Sequence, residues 1–407
     1  MTSLKINNKC RVCGSSDLVK VFDLGLQALT GVFIPKGQSV NQFNMSLSMC
    51  KSCGLTQINE VYDLDLLYGA GYGYESALNS SMVEHLKSKA EMLKNIVSLN
   101  DGDIVIDIGS NDATSLSFFG NNLQKIGVDF TGTKFIDNYK KSHSILVPDF
   151  FPSKNLDTIL NNKKVNLISS YSCFYDLPDP VLFAKEIAKI LKDDGVWCLE
   201  QSYMPLMLET NSFDTICHEH IEYYRLNDID NICEFSGLEI KDIEFNDING
   251  GSFSLIVGHK NSEILRKEKV NNILENENSK NWFNEFSEFH TRIEALKKET
   301  LKLLSDLKKD GKRVVGIGAS TKGNVLLQHY EIDSNLLDSI GEVNKNKYGC
   351  TTPGTNIPIV SEDELLKSNP DYLFVLPWHF KEFFTNNKKF KGFRVIFPLP
   401  SLEIINL

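Results

Sequence analysis

No apolar run in this sequence approaches the ~18 residues that a membrane-spanning helix needs. The opening stretch, MTSLKINNKC, has no apolar core of the kind found in a secretory leader. These absences predict a cytoplasmic protein without a membrane partner. Concentrated basic charge is missing too. Lysines are interspersed with aspartate and glutamate, and the formal net charge is −10. No basic stripe is present to follow a phosphate backbone, which argues against nucleic acid. Neither the G-x-G-x-x-G of a dinucleotide site nor the H-E-x-x-H of a metalloprotease occurs. Short repeats and low-complexity tracts are absent, which excludes a solenoid. What remains is 407 residues of globular composition, 42% hydrophobic and 24% charged, enough for two or three domains.

The nine cysteines are ambiguous by number and informative by spacing. Four form two C-x-x-C-G pairs, Cys10 with Cys13 and Cys50 with Cys53. Each pair can make a knuckle, its glycine freeing the turn after the second sulfur. In a reducing compartment such pairs bind metal rather than form disulfides. Four thiolates suit tetrahedral zinc and leave no open position for catalysis, so the metal is expected to be structural. A redox role for either pair is the alternative. Residues 18–49, between the pairs, are expected to form a loop-and-strand insert.

The segment DGDIVIDIGSNDAT (residues 101–114) organises the middle of the chain. Its apolar run, 104–108, reads as a buried parallel strand ending in a glycine turn, where backbone N–H groups can approach a ligand. About 20 residues beyond Gly109, Asp129 ends a second apolar run (126–130), placed to meet the hydroxyls of a ribose. One glycine followed by polar residues, then an acid closing the next strand, suggests S-adenosylmethionine rather than a dinucleotide. A ligand-free strand–turn–helix is the bland alternative. Further strands are expected at 145–147, 165–169 and 195–200, with helices at 82–99 and 180–191 and a first helix ending near 118–124. Asp149 and Phe150 could hold an adenine by hydrogen bonding and stacking. The turn at 170–176, including Ser170 and Tyr175, should lie at the carboxyl edge of the sheet, where α/β folds bind ligands.

Two other stretches carry chemistry. Tyr68 to Ser81 is rich in glycine and tyrosine and reads either as a linker or as a lid presenting Tyr72 and Tyr74 to a ligand. Cys217-His218-Glu219-His220 places two histidines around a carboxylate, with Tyr223 and Tyr224 behind. Burying these groups together is costly unless they are paired, so acid–base work is the preferred reading over metal binding. A third α/β segment follows a charged helical stretch at 271–309. Its strand runs into Gly316-Ile317-Gly318-Ala319-Ser320-Thr321-Lys322, a glycine turn opening a helix, with Lys322 suited to a phosphate or sugar. Strands are expected at 337–342 and 371–376.

Taken together these motifs resemble the sugar C-methyltransferases of deoxysugar biosynthesis, which act on nucleotide-linked keto sugars. The likeness rests on the paired C-x-x-C-G knuckles, Asp23-Leu24-Gly25, Ile106 through Asp112, Phe213 through Ile216 ahead of His218-Glu219-His220, Gly250-Gly251-Ser252, Lys322-Gly323-Asn324, Thr352-Pro353-Gly354-Thr355 and Leu376-Pro377-Trp378. It implies an α/β protein in three parts: a zinc module (1–66), a seven-stranded S-adenosylmethionine domain (67–245) and a Rossmann-like domain (246–407) that helps hold a dTDP- or GDP-linked keto sugar. A monomer is expected.

By the same resemblance, His220 removes a proton beside the ketone with help from Glu219. The methyl donor is expected against Asp107, Gly109, Ser110, Asn111, Asp129, Asp149, Phe150 and Ser170. The sugar nucleotide is expected against Tyr72, Tyr74, His218, Tyr224, Ser320, Lys322, Asn324 and Thr352. Three positions depart from the family pattern. Cys217 replaces a tyrosine, Tyr175 stands where a histidine is common, and Ala113 replaces a glycine, which requires a negative φ there. Because the first two touch the proton-transfer groups, O- or N-methylation and a non-catalytic sugar-nucleotide binder remain as alternatives.

Overall fold

The computed structural model describes residues 5–38, 40–61 and 75–407. Tyr72 and Tyr74, and the stretch expected to be a lid or linker through residue 74, lie outside the described residues. Among those described, no helix is long and apolar enough to cross a membrane.

A seven-stranded sheet forms the centre. Its order is Leu238–Asn246, Ser252–His259, Leu191–Ser202, Val165–Tyr171, Ile104–Ile108, Gln124–Val128 and Ser144–Val147. The last five strands are mutually parallel, while Ser252–His259 runs antiparallel to both its neighbours. Strand order reverses between Ile104–Ile108 and Val165–Tyr171, and at such a switch point the loops diverge and open a crevice. Ile104–Ile108 is buried along its whole length, as a strand covered on both faces requires. The first helix after it is shorter than the sequence suggests, Thr114–Ser117, because the chain enters the next strand at Gln124. The sheet also continues past residue 245, since Ser252–His259 is inserted beside Leu191–Ser202.

The C-terminal sheet has the order Ile359–Ser361, Ile340–Glu342, Val314–Ile317, Tyr372–Val375, Arg394–Phe397 and Glu403–Asn406, all parallel except the last. Its switch point lies between Val314–Ile317 and Tyr372–Val375. The two sheets share one local device. Gly109 (φ 73°) and Gly318 (φ 83°) each follow the strand at the switch point. Each donates its N–H to the neighbouring strand, Gly109 to the Val128 carbonyl and Gly318 to Gly341, both at 2.8 Å. A Cβ at Gly109 would lie 3.1 Å from Cys173, and one at Gly318 would lie 2.7 Å from Pro377, so both turns need glycine twice over.

The cysteine-bearing module is a long hairpin, Leu18–Ala28 with Gln42–Cys50, extended by Thr56–Ile58. The fourth strand of its sheet, Glu222–Tyr223, comes from the middle of the chain. On its other side, Ile34–Pro35 pairs with Cys350–Thr351 of the C-terminal region. One buried apolar cluster runs through all three parts, from Phe22, Leu47 and Ile58 through Met207, Phe213 and Ile216 to Val315, Leu326 and Phe374. The expected domains are therefore welded together rather than strung on linkers, and residues 213–223 lie where they meet.

Candidate functional site

The glycine turn is held by its own polar residues. Asn111 (φ 46°) donates its backbone N–H to Asp129 Oδ2 at 2.7 Å, while Asp129 Oδ1 accepts from the Thr131 N–H and hydroxyl. Ser110 Oγ lies 2.7 Å from the Tyr139 hydroxyl, which donates to the Asn111 carbonyl. Beneath them Asp107 is buried and accepts from Ser169 Oγ at 2.6 Å. Burial pushes its carboxyl up to about 7. Asn111 Oδ1 and Asp112 Oδ2 accept the backbone N–H groups of Ser76 and Ala77, which brings the start of the first described helical segment over the turn. Asp149 sits at the end of the third parallel strand and accepts from Ser153 and Asn155. Phe150 stacks on Phe130 with centroids 4.7 Å apart and an interplanar angle of 14°. Both rings are exposed. Phe130 was not singled out from the sequence, where it reads only as the end of a strand.

Two expectations about this region are corrected. Ser170 is fully buried and its hydroxyl accepts the Trp197 indole N–H at 2.9 Å, so its side chain serves the core. Ala113 has φ +63°, not the negative value anticipated. The turn needs the left-handed conformation, and here an alanine adopts it at a cost of roughly 1–2 kcal/mol.

These residues fit an adenosyl ligand bearing a ribose. Asp129 and Asp149 present carboxylates at successive strand ends, a pair of exposed rings lies beside them, and backbone N–H groups line the turn.

The turn after Val165–Tyr171 links this region to the second half of the site. Cys173 packs against Gly109, and two residues on, the Tyr175 ring lies 4.0 Å from that of His220, centroid to centroid. His220 Nδ1 is 2.9 Å from the Thr215 carbonyl. A carbonyl only accepts, so Nδ1 carries the proton and Nε2 holds the lone pair. Burial first, and then the charge of Lys322, lower the imidazole to about 3, so it is neutral over the physiological range. Lys322 donates to the Asn249 carbonyl. Asp214 Oδ2 accepts from the Trp378 indole N–H at 2.8 Å, and burial holds its carboxyl above the usual range against the pull of Lys322. His379 is lowered to about 3 by burial and by the same lysine.

Glu219 is raised by burial, its carboxyl accepting from the Cys217 thiol. A Cβ on Gly31, from the cysteine module, would lie 2.7 Å from Glu219 Oε1. Asp214 Oδ1, Glu219 Oε2 and His379 Nδ1 are buried without a hydrogen-bond partner among the described residues. Orphaned polar atoms are rare in folded proteins, and Asp214 and His379 both feel the charge of Lys322.

Several residues expected at a ligand have other duties. His218 is fully buried against the hairpin, where Gln27 supplies a backbone carbonyl and Phe43 an aromatic edge. Tyr224 is in the core, 5.5 Å from Phe174. Asn324 donates to the Thr30 carbonyl at 2.7 Å and anchors the module. Thr352 bonds Thr355 and accepts the Ile357 N–H, closing its own turn. Ser320 caps the helix Thr321–His329, its hydroxyl accepting from the Gly323 N–H. Cys217 is buried, its thiol raised by burial, so it packs and donates rather than acting as a nucleophile.

The four knuckle sulfurs lie within 4.8 Å of one another, with Cys10–Cys53 at 3.5 Å and Cys13–Cys50 at 3.6 Å. Zinc–thiolate bonds of about 2.3 Å in a tetrahedron require S···S separations of roughly 3.8 Å, so the cluster fits zinc. The knuckles are alike: Gly14 and Gly54, both at positive φ, donate to the Cys10 and Cys50 carbonyls.

A parallel sheet with one reversed strand, a glycine turn at its switch point and an acid ending the next strand define an S-adenosylmethionine-dependent methyltransferase. Three family models match the chain in sequence: a zinc binding domain over residues 10–68, a methyltransferase domain over 82–243 and a C-methyltransferase C-terminal domain over 247–400. Matches in this order support an S-adenosylmethionine-dependent C-methyltransferase. It is 27% identical to the C-methyltransferase NovU of Streptomyces niveus, an alignment covering 98% of this chain and 97% of that protein. Among solved structures it is similar to a Haloferax volcanii methyltransferase complexed with its Trm112 activator, at 16% identity over 44% of this chain and 94% of that one, TM-score 0.36. It is also similar to an S-adenosylmethionine-dependent methyltransferase of Clostridium acetobutylicum, at 12% identity over 48% and 95% of the chains, TM-score 0.34.

Proposed function

We propose that the enzyme methylates the carbon next to the ketone of a nucleotide-linked keto-deoxysugar. The observation that carries this reading is the state of His220. Its Nδ1–H is spent on the Thr215 carbonyl, which leaves a neutral Nε2 to accept a proton. Tyr175 holds the ring from one side. A carbon flanking a carbonyl gives its proton to an imidazole lowered to about 3 only where the enolate is stabilised as it forms. Removal of its proton leaves an enolate whose charge Lys322 is suited to offset. Glu219, its carboxyl raised by burial, offers a polar contact to an oxygen of the sugar. S-Adenosylmethionine, when bound at Asp129, Asp149 and the Gly109 turn, supplies the electrophilic methyl. The proton taken from the sugar carbon stays on His220 Nε2 until solvent takes it.

The nucleotide end is proposed to lie toward the C-terminal turn, where Lys322 and the N–H groups after Ser320 favour an anion. Zinc is proposed to hold the module's knuckles and to take no part in the reaction. The reading is tested by supplying labelled S-adenosylmethionine with dTDP- and GDP-4-keto-6-deoxysugars. Labelled sugar and S-adenosylhomocysteine are expected. Deuterium should also enter the carbon beside the ketone in D2O without the methyl donor. Product methylated on oxygen, or no product across the panel, would overturn it.

A further inference from the structure

The loop carrying His220 has little regular structure of its own. Between the short helical turn Phe213–Thr215 and the strand Glu222–Tyr223, its described backbone bonds are few. His220 donates to Cys217, Ile221 donates to the Tyr175 carbonyl at 2.9 Å, and the Ile221 carbonyl accepts from Ile58 at 2.9 Å. One of the two bonds that fix the exit of the loop therefore comes from the cysteine module.

At that junction lies Arg11, the residue directly after the first knuckle cysteine. Its side chain is 1% exposed. Nη1 donates to the Ile58 carbonyl at 2.5 Å and reaches the Ile221 carbonyl at 3.5 Å, while Nε lies 3.4 Å from Glu222 Oε1. The Arg11 backbone N–H is itself held by Gln57 at 3.0 Å. The Glu222 side chain is fully buried, and it lines a small pocket together with Tyr175, Thr215 and His220. A buried guanidinium thus gathers two carbonyls and a carboxylate, the latter two residues from the proposed base.

We propose that Arg11 and Glu222 are a positioning pair for His220, linking the cysteine knuckle to the aim of the imidazole. Neither residue is a proton carrier in this scheme. The pair fixes the exit of the loop, and through Ile221 and Tyr175 it fixes the ring that abuts His220. A base displaced by about 1 Å can lose on the order of a hundredfold in rate, so a small slackening is measurable. The inference rests on the assignment of His220 as the base.

The test uses the full chain with zinc content verified. Glu222→Gln preserves shape and replaces the carboxyl facing Arg11, and Arg11→Met preserves the apolar stem. Each should lower kcat about tenfold or more, with KM, S-adenosylhomocysteine affinity and zinc content within about twofold. Arg11→Lys should recover part of kcat. In Arg11→Met/Glu222→Met no uncompensated charge remains, so thermal stability should return while kcat stays low. If kcat returns together with stability, or if Glu222→Gln keeps wild-type kcat, the positioning role is refuted. A readout independent of substrate separates this from failure of the proposed function. In protein labelled with 13C-histidine, the His220 resonance, assigned through His220→Asn, should move in both single variants while that of His259 does not. An unmoved His220 resonance refutes the pair even if no sugar is turned over. A moved resonance in a protein inactive on every keto sugar supports the pair and overturns the substrate assignment.

Discussion

Replacement of His220 by asparagine separates proton transfer from every other duty of the site. The imidazole contributes one hydrogen bond to the Thr215 carbonyl and one ring contact, 4.0 Å from Tyr175. The ring contact contributes about 0.5–1.5 kcal/mol and the hydrogen bond about 1 kcal/mol. Asparagine can keep a donor, so the protein should remain folded. The Gly109 turn and Asp129 make no described hydrogen bond to His220, so the methyl donor should bind as before. Loss of a general base, in contrast, removes roughly 10²–10⁴ of rate, about 3–5 kcal/mol of barrier. The assay is single-turnover methyl transfer from labelled S-adenosylmethionine, with exchange of the carbon-bound proton measured in D2O. Both should fall together by at least about a hundredfold, while calorimetric affinity for S-adenosylhomocysteine stays within about twofold. If His220→Asn keeps more than about a tenth of wild-type exchange, another group takes the proton and the reasoning from the Nδ1 tautomer fails.

Other expectations follow from the same geometry. Asp129→Asn should weaken S-adenosylhomocysteine binding about tenfold to a hundredfold, through loss of charge-assisted hydrogen bonds, and calorimetry showing unchanged affinity would place the ribose elsewhere. Cys10→Ser should release about one zinc per chain by metal analysis and loosen the module, and full zinc retention would contradict the tetrahedral cluster. Ala113→Gly exchanges about 1–2 kcal/mol of left-handed strain for a lost buried methyl and a more flexible unfolded chain, so thermal stability should change by less than about 1 kcal/mol. A loss above about 2 kcal/mol would mean that Ala113 is not strained. His379 is depressed to about 3 by burial and Lys322. Its contribution is therefore present above its unfolded value near 6.5 and lost as pH falls from there toward 3. His379→Gln should narrow the stability gap between pH 7.5 and 5 relative to wild type, by up to about 1.4 kcal/mol per pH unit below 6.5, and an equal gap in denaturation curves would refute a buried neutral imidazole.

Some of this architecture is written in local spacing. Cys10, Cys13, Cys50 and Cys53 announce their cluster because a knuckle is a turn of fixed length. Gly109 and Asp129 do so because a parallel strand, its turn and the next strand end recur at a fixed interval. The alternation of apolar runs with helical stretches was enough for two α/β sheets. His220 and Lys322, as ionisable groups among apolar neighbours, were also visible. The work of His218, Tyr224, Asn324 and Thr352 was not. In an irregular segment no period tells which way a side chain points. His218 turns to Phe43, Glu219 to Gly31 and His220 to Tyr175, three partners supplied by segments remote in the chain.

Arg11 reads as filler between two cysteines until the fold sets it 3.4 Å from Glu222. The order of residues was enough to name the parts: a metal-ready module, a methyl-donor sheet and a second sheet of similar plan. It took the packed chain to show that Glu222–Tyr223 completes the module's sheet and that one apolar core runs through all three parts. Backbone pairing and burial join residues by distance in space, and that distance is not recorded in their order along the chain.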